Sequence, residues 1–274
     1  MNYSKYSGAG NDFLIINNLD DKIVDRSQMT VDLVSREQHR FDGVIYLEES
    51  DIADFKMNYF NRDGSGDALC GNGLRCTAQY INDNKLSGNS YMTIEGVGKI
   101  FSAKLLGNNI VSIGFPPPVK IKLKFKLKVQ FIEWWQLINC SYLDIGSPHA
   151  VIFIDDIEKP VVKDINDVPV DEWGRNIRMH KDFAPEGVNA QFVQVLSKEN
   201  SEIALRSFER GVEAETLACG TGAISSAIVS YALRELKPPV KVHTKSGSVL
   251  TVDFKIIENK IRSLTLTGPA IQID

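Results

Sequence analysis

The chain has 274 residues, 43% of them apolar and 24% charged, and a formal net charge of −4. At about 150 residues per domain that is chain enough for nearly two domains with their own cores, which excludes a disulfide-stapled mini-protein and a wholly disordered polymer. The acidic balance argues against a polyanion-binding molecule, and no apolar run approaches the roughly 18 residues that a membrane helix needs.

From the amino terminus, MNYSKYSGAGNDF has no charged region followed by an apolar stretch and a small-residue cleavage site, so a cytoplasmic location is expected. Phe13 to Ile16, Gly43 to Leu47 and Phe55 to Phe60 are short apolar or alternating runs that predict strands. Gly66 and Asp67 then lead into CGNGLRCTAQYI, which opens at Cys70. There Leu74, Ala78 and Ile81 recur at helical spacing, with an exit over Asp83 to Gly88. Strands follow at Met92 to Ile94 and Val111 to Ile113, and then Pro116, Pro117 and Pro118 form a linker that resists both helix and sheet.

Past that linker, Lys120, Lys122, Lys124, Lys126 and Lys128 alternate with Ile121, Leu123, Phe125, Leu127 and Val129. The period of two predicts a strand whose lysines face water and discourage edge pairing. With no aromatic expected on the charged face, nucleic acid is not an expected partner. Cys140 lies among strand-like residues, and Ala150 to Ile154, Phe192 to Val195 and Ile203 to Phe208 continue the strands. Glu213 and Glu215 then lead into CGTGAISSAIVS from Cys219, where Ile224, Ile228 and Tyr231 predict a helix that stops at Lys237, before Pro238 and Pro239. Val249 to Phe254 and Ser263 to Thr267 close the chain as strands.

A C-G-x-G element opening a helix therefore occurs twice, just over half a chain length apart. Many strands around few helices, in two copies, predict an α+β fold of two pseudo-symmetric lobes, each a curved, mainly antiparallel sheet around a central helix. The expected domains are residues 1–117 with 263–274, carrying Cys70, and 118–262, carrying Cys219.

The two turns concentrate chemistry. Glycines let the backbone approach a ligand, first-turn N–H groups attract an anion, and the helix dipole adds to both effects. The same field is expected to favour thiolate at each cysteine, drawing its pKa down from about 8.5. Two such sulfurs on opposite sides of one α-carbon suit a racemase, in which one group removes a proton and its twin delivers another. No metal and no organic cofactor is expected: the four cysteines lack a C-x-x-C pair, and in a reducing compartment they are expected as thiols. Cys76 and Cys140 read as small buried hydrophobes. A phosphatase-like loop needs one residue more than Cys70 and Arg75 enclose.

Five ordered segments carry a resemblance: SGAGNDF (Ser7 to Phe13), FNRDGSGDALCGNGLRC (Phe60 to Cys76), GSPHAV (Gly146 to Val151), GVNAQF (Gly187 to Phe192) and FERGVEAETLACGTGA (Phe208 to Ala223). Together they resemble the motif set of diaminopimelate epimerase. That resemblance implies a cofactor-independent epimerase that interconverts LL- and meso-diaminopimelate for lysine and peptidoglycan synthesis. It implies Cys70 and Cys219 as the acid/base pair, with Gly71, Asn72, Gly220 and Thr221 offering backbone donors to the reacting carboxylate. Asn11, Asn61, Asn189, Glu209 and Arg210 are implied to bind the substrate, a small amino acid, with His149 and Glu209 in support. A homodimer is the family expectation. Ser7 and Ser147 depart from the histidine and asparagine that family members often carry, and the stretch from Arg210 to Cys219 looks one residue longer. Ser147, being shorter, is expected to lose a ligand contact or to replace it by water. Two alternatives stand beside this reading: a two-cysteine enzyme of the proline or hydroxyproline type, and a non-catalytic relative that binds amino acids or uses the lysine strand to hold nucleic acid.

Overall fold

A computed structural model describes residues 2–66, 69–131 and 134–274; Asp67, read above as part of the lead-in to Cys70, lies outside the described residues. The elements run β1 (Ser4–Gly8), β2 (Asn11–Asn17), α1 (Arg26–Arg36), β3 (Gly43–Glu48), β4 (Phe55–Asn61), α2 (Gly71–Asp83), β5 (Tyr91–Gly96), β6 (Lys99–Leu105) and β7 (Ile110–Gly114). They continue with β8 (Lys120–Phe131), β9 (Trp134–Asp144), β10 (Pro148–Phe153), α3 (Val170–Arg178), β11 (Asn189–Ser197), β12 (Glu202–Glu209) and β13 (Ala214–Thr216). The last are α4 (Gly220–Arg234), β14 (Val240–Thr244), β15 (Val249–Ile257), β16 (Lys260–Pro269) and β17 (Ile271–Ile273). The chain divides into two units, Met1–Phe115 with Thr265–Asp274, and Pro116–Leu264. Among the described residues no helix is long and apolar enough to cross a membrane.

Each unit is α+β and mainly antiparallel, and the two follow one plan. In the first, β1 and β2 form an antiparallel hairpin, α1 carries the chain to β3 parallel to β2, β4 returns antiparallel, and α2 carries it to β5 parallel to β4. In the second, β9 and β10 are antiparallel, α3 lies in the crossover to the parallel β11, β12 returns antiparallel, and α4 carries the chain to the parallel β14. Parallel neighbours cannot be joined by a tight turn, so each requires such a crossover. Among the described residues each unit thus has two α-helices where the sequence pointed to one principal helix. The principal ones, α2 and α4, are buried at every position from Gly71 to Ile81 and from Gly220 to Ser230. Burial on all sides favours small or apolar residues round the helix, and the polar exceptions in α2, Asn72, Arg75 and Gln79, find hydrogen-bond partners.

Strand residues sort by period two. Ala190 and Phe192 of β11 join the core beneath α3 with Ala204, Phe208 and Trp173, whose ring stacks on Phe131 with centroids 4.3 Å apart. Gln191, between them, points the other way, to α4. Gly174 of α3 packs so closely that a Cβ there would lie 2.4 Å from Phe208 Cβ. Helix propensity favours Ala over Gly by about 1 kcal/mol, but the obstacle is rooted at the Phe208 backbone. Gly174→Ala is therefore expected to cost a net of about 1 to 2 kcal/mol, read as a lower urea midpoint at unchanged m value.

Two local expectations are corrected. Helix α4 ends at Arg234, three residues short of Lys237, because Glu235 takes a left-handed conformation with φ 63° and turns the chain out of the helix. The lysine strand forms as β8 and its lysines face water, but its alternation breaks. A register shift lies between Lys122 and Phe125, with Lys124 at φ 47°, and a bulge of this kind moves later side chains to the other face. Lys120 and Lys122 lie over Tyr142 and Phe125, while Lys128 lies 5.4 Å from the ring of exposed Trp135. The charged face does carry an aromatic.

Candidate active site

Cys70 and Cys219 occupy the same place in the two units, the N-cap of the principal helix. Their backbones nearly coincide, with φ/ψ of −121°/104° and −116°/109°. Each Sγ accepts a hydrogen bond from the N–H three residues on, Gly73 and Gly222, at 3.3 Å. A capping side chain in extended backbone satisfies a donor that the helix cannot. Space is short at both glycines: a Cβ at Gly73 would lie 3.2 Å from Ile45 Cδ1, tight but open to a small shift of that side chain, and one at Gly222 would lie 2.5 Å from Gln191 Oε1, an outright clash. The third N–H of each turn is therefore taken by sulfur rather than left to a ligand. Those of Gly71, Gly220 and Thr221 have no partner among the described residues.

The surroundings of the sulfurs differ. Cys219 is 3% exposed, and burial, with the Glu209 carboxylate beside it, pushes its thiol well above the ordinary value, against the N–H of Gly222 and the hydroxyl of Thr221. The expected lowering is overturned here, because desolvation of a thiolate outweighs a helix end. Cys70 is half-buried. Near it lies Arg75, fully buried and held by the carbonyls of Pro269 (3.3 Å) and Gly71 (3.5 Å) and by Asn72 Oδ1 (2.9 Å), with no carboxylate partner among the described residues. Burial lowers its pKa to about 10, and negative charge on Cys76 or Cys70 opposes that fall. Cys76 and Cys140 are buried and pushed up by desolvation, the inert interior thiols that were expected. None of the four cysteines forms a disulfide.

The substrate-binding candidates gather at the helix-entry end of each unit. In the first, Ala9 (φ 62°) and Gly10 (φ 96°) make the two-residue turn of the β1–β2 hairpin, which favours left-handed residues. This turn presents Asn11, which donates to Asp42 Oδ2 at 3.1 Å and accepts from Asn72 Nδ2. Asn61, at the end of β4, lies opposite Gly43, next to Asp42, and donates to Ser65 Oγ at 3.0 Å. In the second unit, His149, the second residue of β10, lies in register with Asn189, the first of β11, and Glu209 ends β12. Asn189 donates to Pro148 O at 3.0 Å and accepts from Arg210 N at 2.8 Å, so it braces Arg210. Glu209 accepts from Thr216 Oγ1 at 2.5 Å. Arg210 is exposed, its guanidinium reaching Glu186 O at 3.5 Å and no carboxylate among the described residues. His149 is fully buried, with Nε2 2.9 Å from Ser147 Oγ and Nδ1 3.2 Å from Gln191 Nε2. Burial, with Arg210 adding repulsion, lowers its pKa to about 3, so the ring is neutral.

Sequence reasoning missed Asp42, Thr216 and Gln191 as supports. Gln191 had a usable signal: it stands two residues after Asn189 in a strand, on the same face. Among the described residues no group of three or more His, Cys, Asp or Glu side chains converges as a metal site requires.

The sequence model of the family described as "Diaminopimelate epimerase" matches residues 3–113 and 141–272. The chain is 36% identical over 288 residues to the diaminopimelate epimerase of Aquifex aeolicus, covering 100% of this chain and 96% of that one. It is 34% identical over 268 residues to that of Chlorobaculum tepidum, covering 96% of each. Among solved structures it is similar to a PhzF-family phenazine biosynthesis protein of Bacillus anthracis, with a TM-score of 0.72 at 13% identity, covering 99% of this chain and 96% of that one. A hydroxyproline epimerase of Agrobacterium vitis, solved with bound trans-4-OH-L-proline, gives a TM-score of 0.70 at 14% identity, covering 99% and 88%. At such identities these two structures speak for the fold alone. Matching motifs across both units, with whole-length relatives at a third identity or better, place the chain in the diaminopimelate epimerase family, as an isomerase.

Proposed function

We propose that this chain interconverts LL- and meso-diaminopimelate in lysine and peptidoglycan precursor synthesis, by proton transfer between the α-carbon and the sulfurs of Cys70 and Cys219. The observation that carries the reading is the duplicated cap: the same residue, in the same backbone conformation, at the entry of the same crossover helix in each unit. One sulfur, as thiolate, takes the α-proton, so that a C–H bond breaks and an S–H bond forms. The other, as thiol, gives its proton to the opposite face, and its S–H bond becomes the new C–H bond. In the reverse direction the roles exchange.

The unlike surroundings assign the starting states. Glu209 and burial keep Cys219 protonated, so it begins as the acid. With Cys219 as the starting acid, the two-group exchange leaves Cys70 as the starting base; Arg75, a buried cation, gains from negative charge on Cys76 and on Cys70. N–H groups at the helix ends, those of Gly71, Asn72, Gly220 and Thr221, receive the substrate carboxylate as charge builds on it. Arg210 takes the distal carboxylate in a forked pair, and Glu209 with the amides of Asn11, Asn61 and Asn189 suits the ammonium groups. A substrate with no polar far end, such as proline, would leave Arg210 unused. Since the step moves only protons, it asks for no cofactor. Thiols of this kind persist in a reducing compartment, which supports placing the reaction in the cytoplasm.

Incubating the protein with LL-diaminopimelate in heavy water, without added cofactor, is expected to give meso product and deuterium at the α-carbon, and no exchange into proline. Absence of exchange from diaminopimelate would overturn the proposal.

A further inference from the structure

Ser147 departs from the family's usual residue and is expected to lose that residue's ligand contact or to replace it by water. Its side chain is engaged inside the second unit instead, within a row of polar groups that starts in the core. Ser207 Oγ donates to Gln191 Oε1 at 2.6 Å, which turns the Gln191 NH2 toward His149 Nδ1, 3.2 Å away. An acceptor role for Nδ1 puts the ring's single proton on Nε2, and that N–H donates to Ser147 Oγ at 2.9 Å. Ser147 Oγ in turn donates to Thr221 Oγ1 at 3.2 Å. Accepting from Ser147, the Thr221 hydroxyl has its own proton for Cys219 Sγ, 3.8 Å away. Ser207, Gln191, His149 and Thr221 are all buried, so water does not compete along most of the row, and such chains polarise one another. Every donor points toward the sulfur. Gly222 belongs to the device, since any side chain there would strike the Gln191 amide.

We propose that Ser147 is a positioning residue, whose hydroxyl joins His149 to Thr221 and so aims an O–H at Cys219, steadying the thiolate left once Cys219 has given up its proton. This rests on the epimerase reading above. The row opposes what otherwise holds Cys219 protonated, the low polarity around it and the carboxylate of Glu209. A sulfur that must alternate between thiol and thiolate in each cycle needs both influences near balance.

The test compares wild type, Ser147→Ala, Ser147→Thr, Thr221→Val and the double variant Ser147→Ala/Thr221→Val, with kcat and KM for diaminopimelate measured across pH. Ser147→Ala is expected to lower kcat about 10- to 100-fold, the usual worth of a hydrogen bond to a charged group. KM should stay within a few-fold, and the ionisation attributed to Cys219 should move to higher pH. Ser147→Thr, which keeps the hydroxyl, should recover most of the loss. Thr221→Val keeps shape and backbone N–H but removes the last O–H; it should match Ser147→Ala, and the double variant should be no worse than either single one, because one row is cut once or twice. Losses that multiply, a profile that does not move, or a rise in KM at constant kcat would each overturn the proposal, the last by making Ser147 a ligand contact. A wild type without exchange would fail the epimerase reading instead, whereas an active wild type with an indifferent Ser147→Ala fails only this one.

Discussion

Alanine at either Cys70 or Cys219 is expected to lower epimerisation by about two to four powers of ten, the contribution of a well-placed proton-transfer group. Inversion needs donation and removal on opposite faces, so a single remaining sulfur cannot complete it. It can still exchange the proton of the stereoisomer whose hydrogen it faces. Each alanine variant should thus wash deuterium into one stereoisomer without converting it, and the isomer labelled identifies the sulfur that faces it. Alanine also removes a helix cap, since both sulfurs accept a backbone N–H. That loss is worth about 0.5 to 2 kcal/mol and could be mistaken for a catalytic effect. Serine separates the two: it is a better cap than cysteine, but its hydroxyl does not ionise near neutral pH. Cys70→Ser and Cys219→Ser should keep the urea midpoint and lose turnover, and a serine variant with wild-type kcat would remove that cysteine from the mechanism.

The parts of this site that could be read from sequence are those that local physics dictates. A cysteine followed by Gly-x-Gly and a helical run predicts an N-cap, and both caps are present. The strand runs fall where the pairings place β2 to β5, β7, β10 to β12, β15 and β16. Two helices gave too weak a signal. Helix α1, RSQMTVDLVSR, is rich in Ser, Thr, Val and Asp, which are indifferent helix formers, and it is fixed by the Asp25 cap and by packing of Leu33 and Val34. Helix α3 carries Gly174 in its middle, where only the neighbouring Phe208 explains it. Burial decided the remainder. Helix position suggested a lowered thiol pKa, but how far Cys219 is removed from water depends on strands brought to it from elsewhere in the chain. Lys124 kept the period of two in sequence while its backbone broke it. Likewise the row from Ser207 to Cys219 joins four separate segments, so no spacing rule could have connected them.

Folding stability is expected to fall steeply in mild acid because His149 is neutral and fully buried. Unfolded, the ring takes a proton near pH 6.5; folded, it resists until about pH 3. A folded pKa below the unfolded one means that the unfolded chain binds the extra proton throughout that window. The contribution is therefore whole above pH 6.5 and is lost as pH falls, at about 1.4 kcal/mol per unit, or about 2 to 3 kcal/mol by pH 4.5. Glu215, held low by Arg206 and Lys245, adds the same sign only below its ordinary value of 4.5. Asp42, raised by burial, acts in the opposite sense above 3.8, its folded carboxyl keeping a proton that the unfolded one releases. Both remain in a His149→Gln variant, so the comparison isolates the ring: urea unfolding from pH 7 to 4.5 should show a slope shallower by about one proton in the variant. Equal slopes would mean that His149 is not buried neutral. A protonated ring would also present N–H groups at both nitrogens, one of them facing the N–H of Gln191. The acid limit on folding and the direction of the hydrogen bonds that end at Cys219 thus rest on the same neutral imidazole.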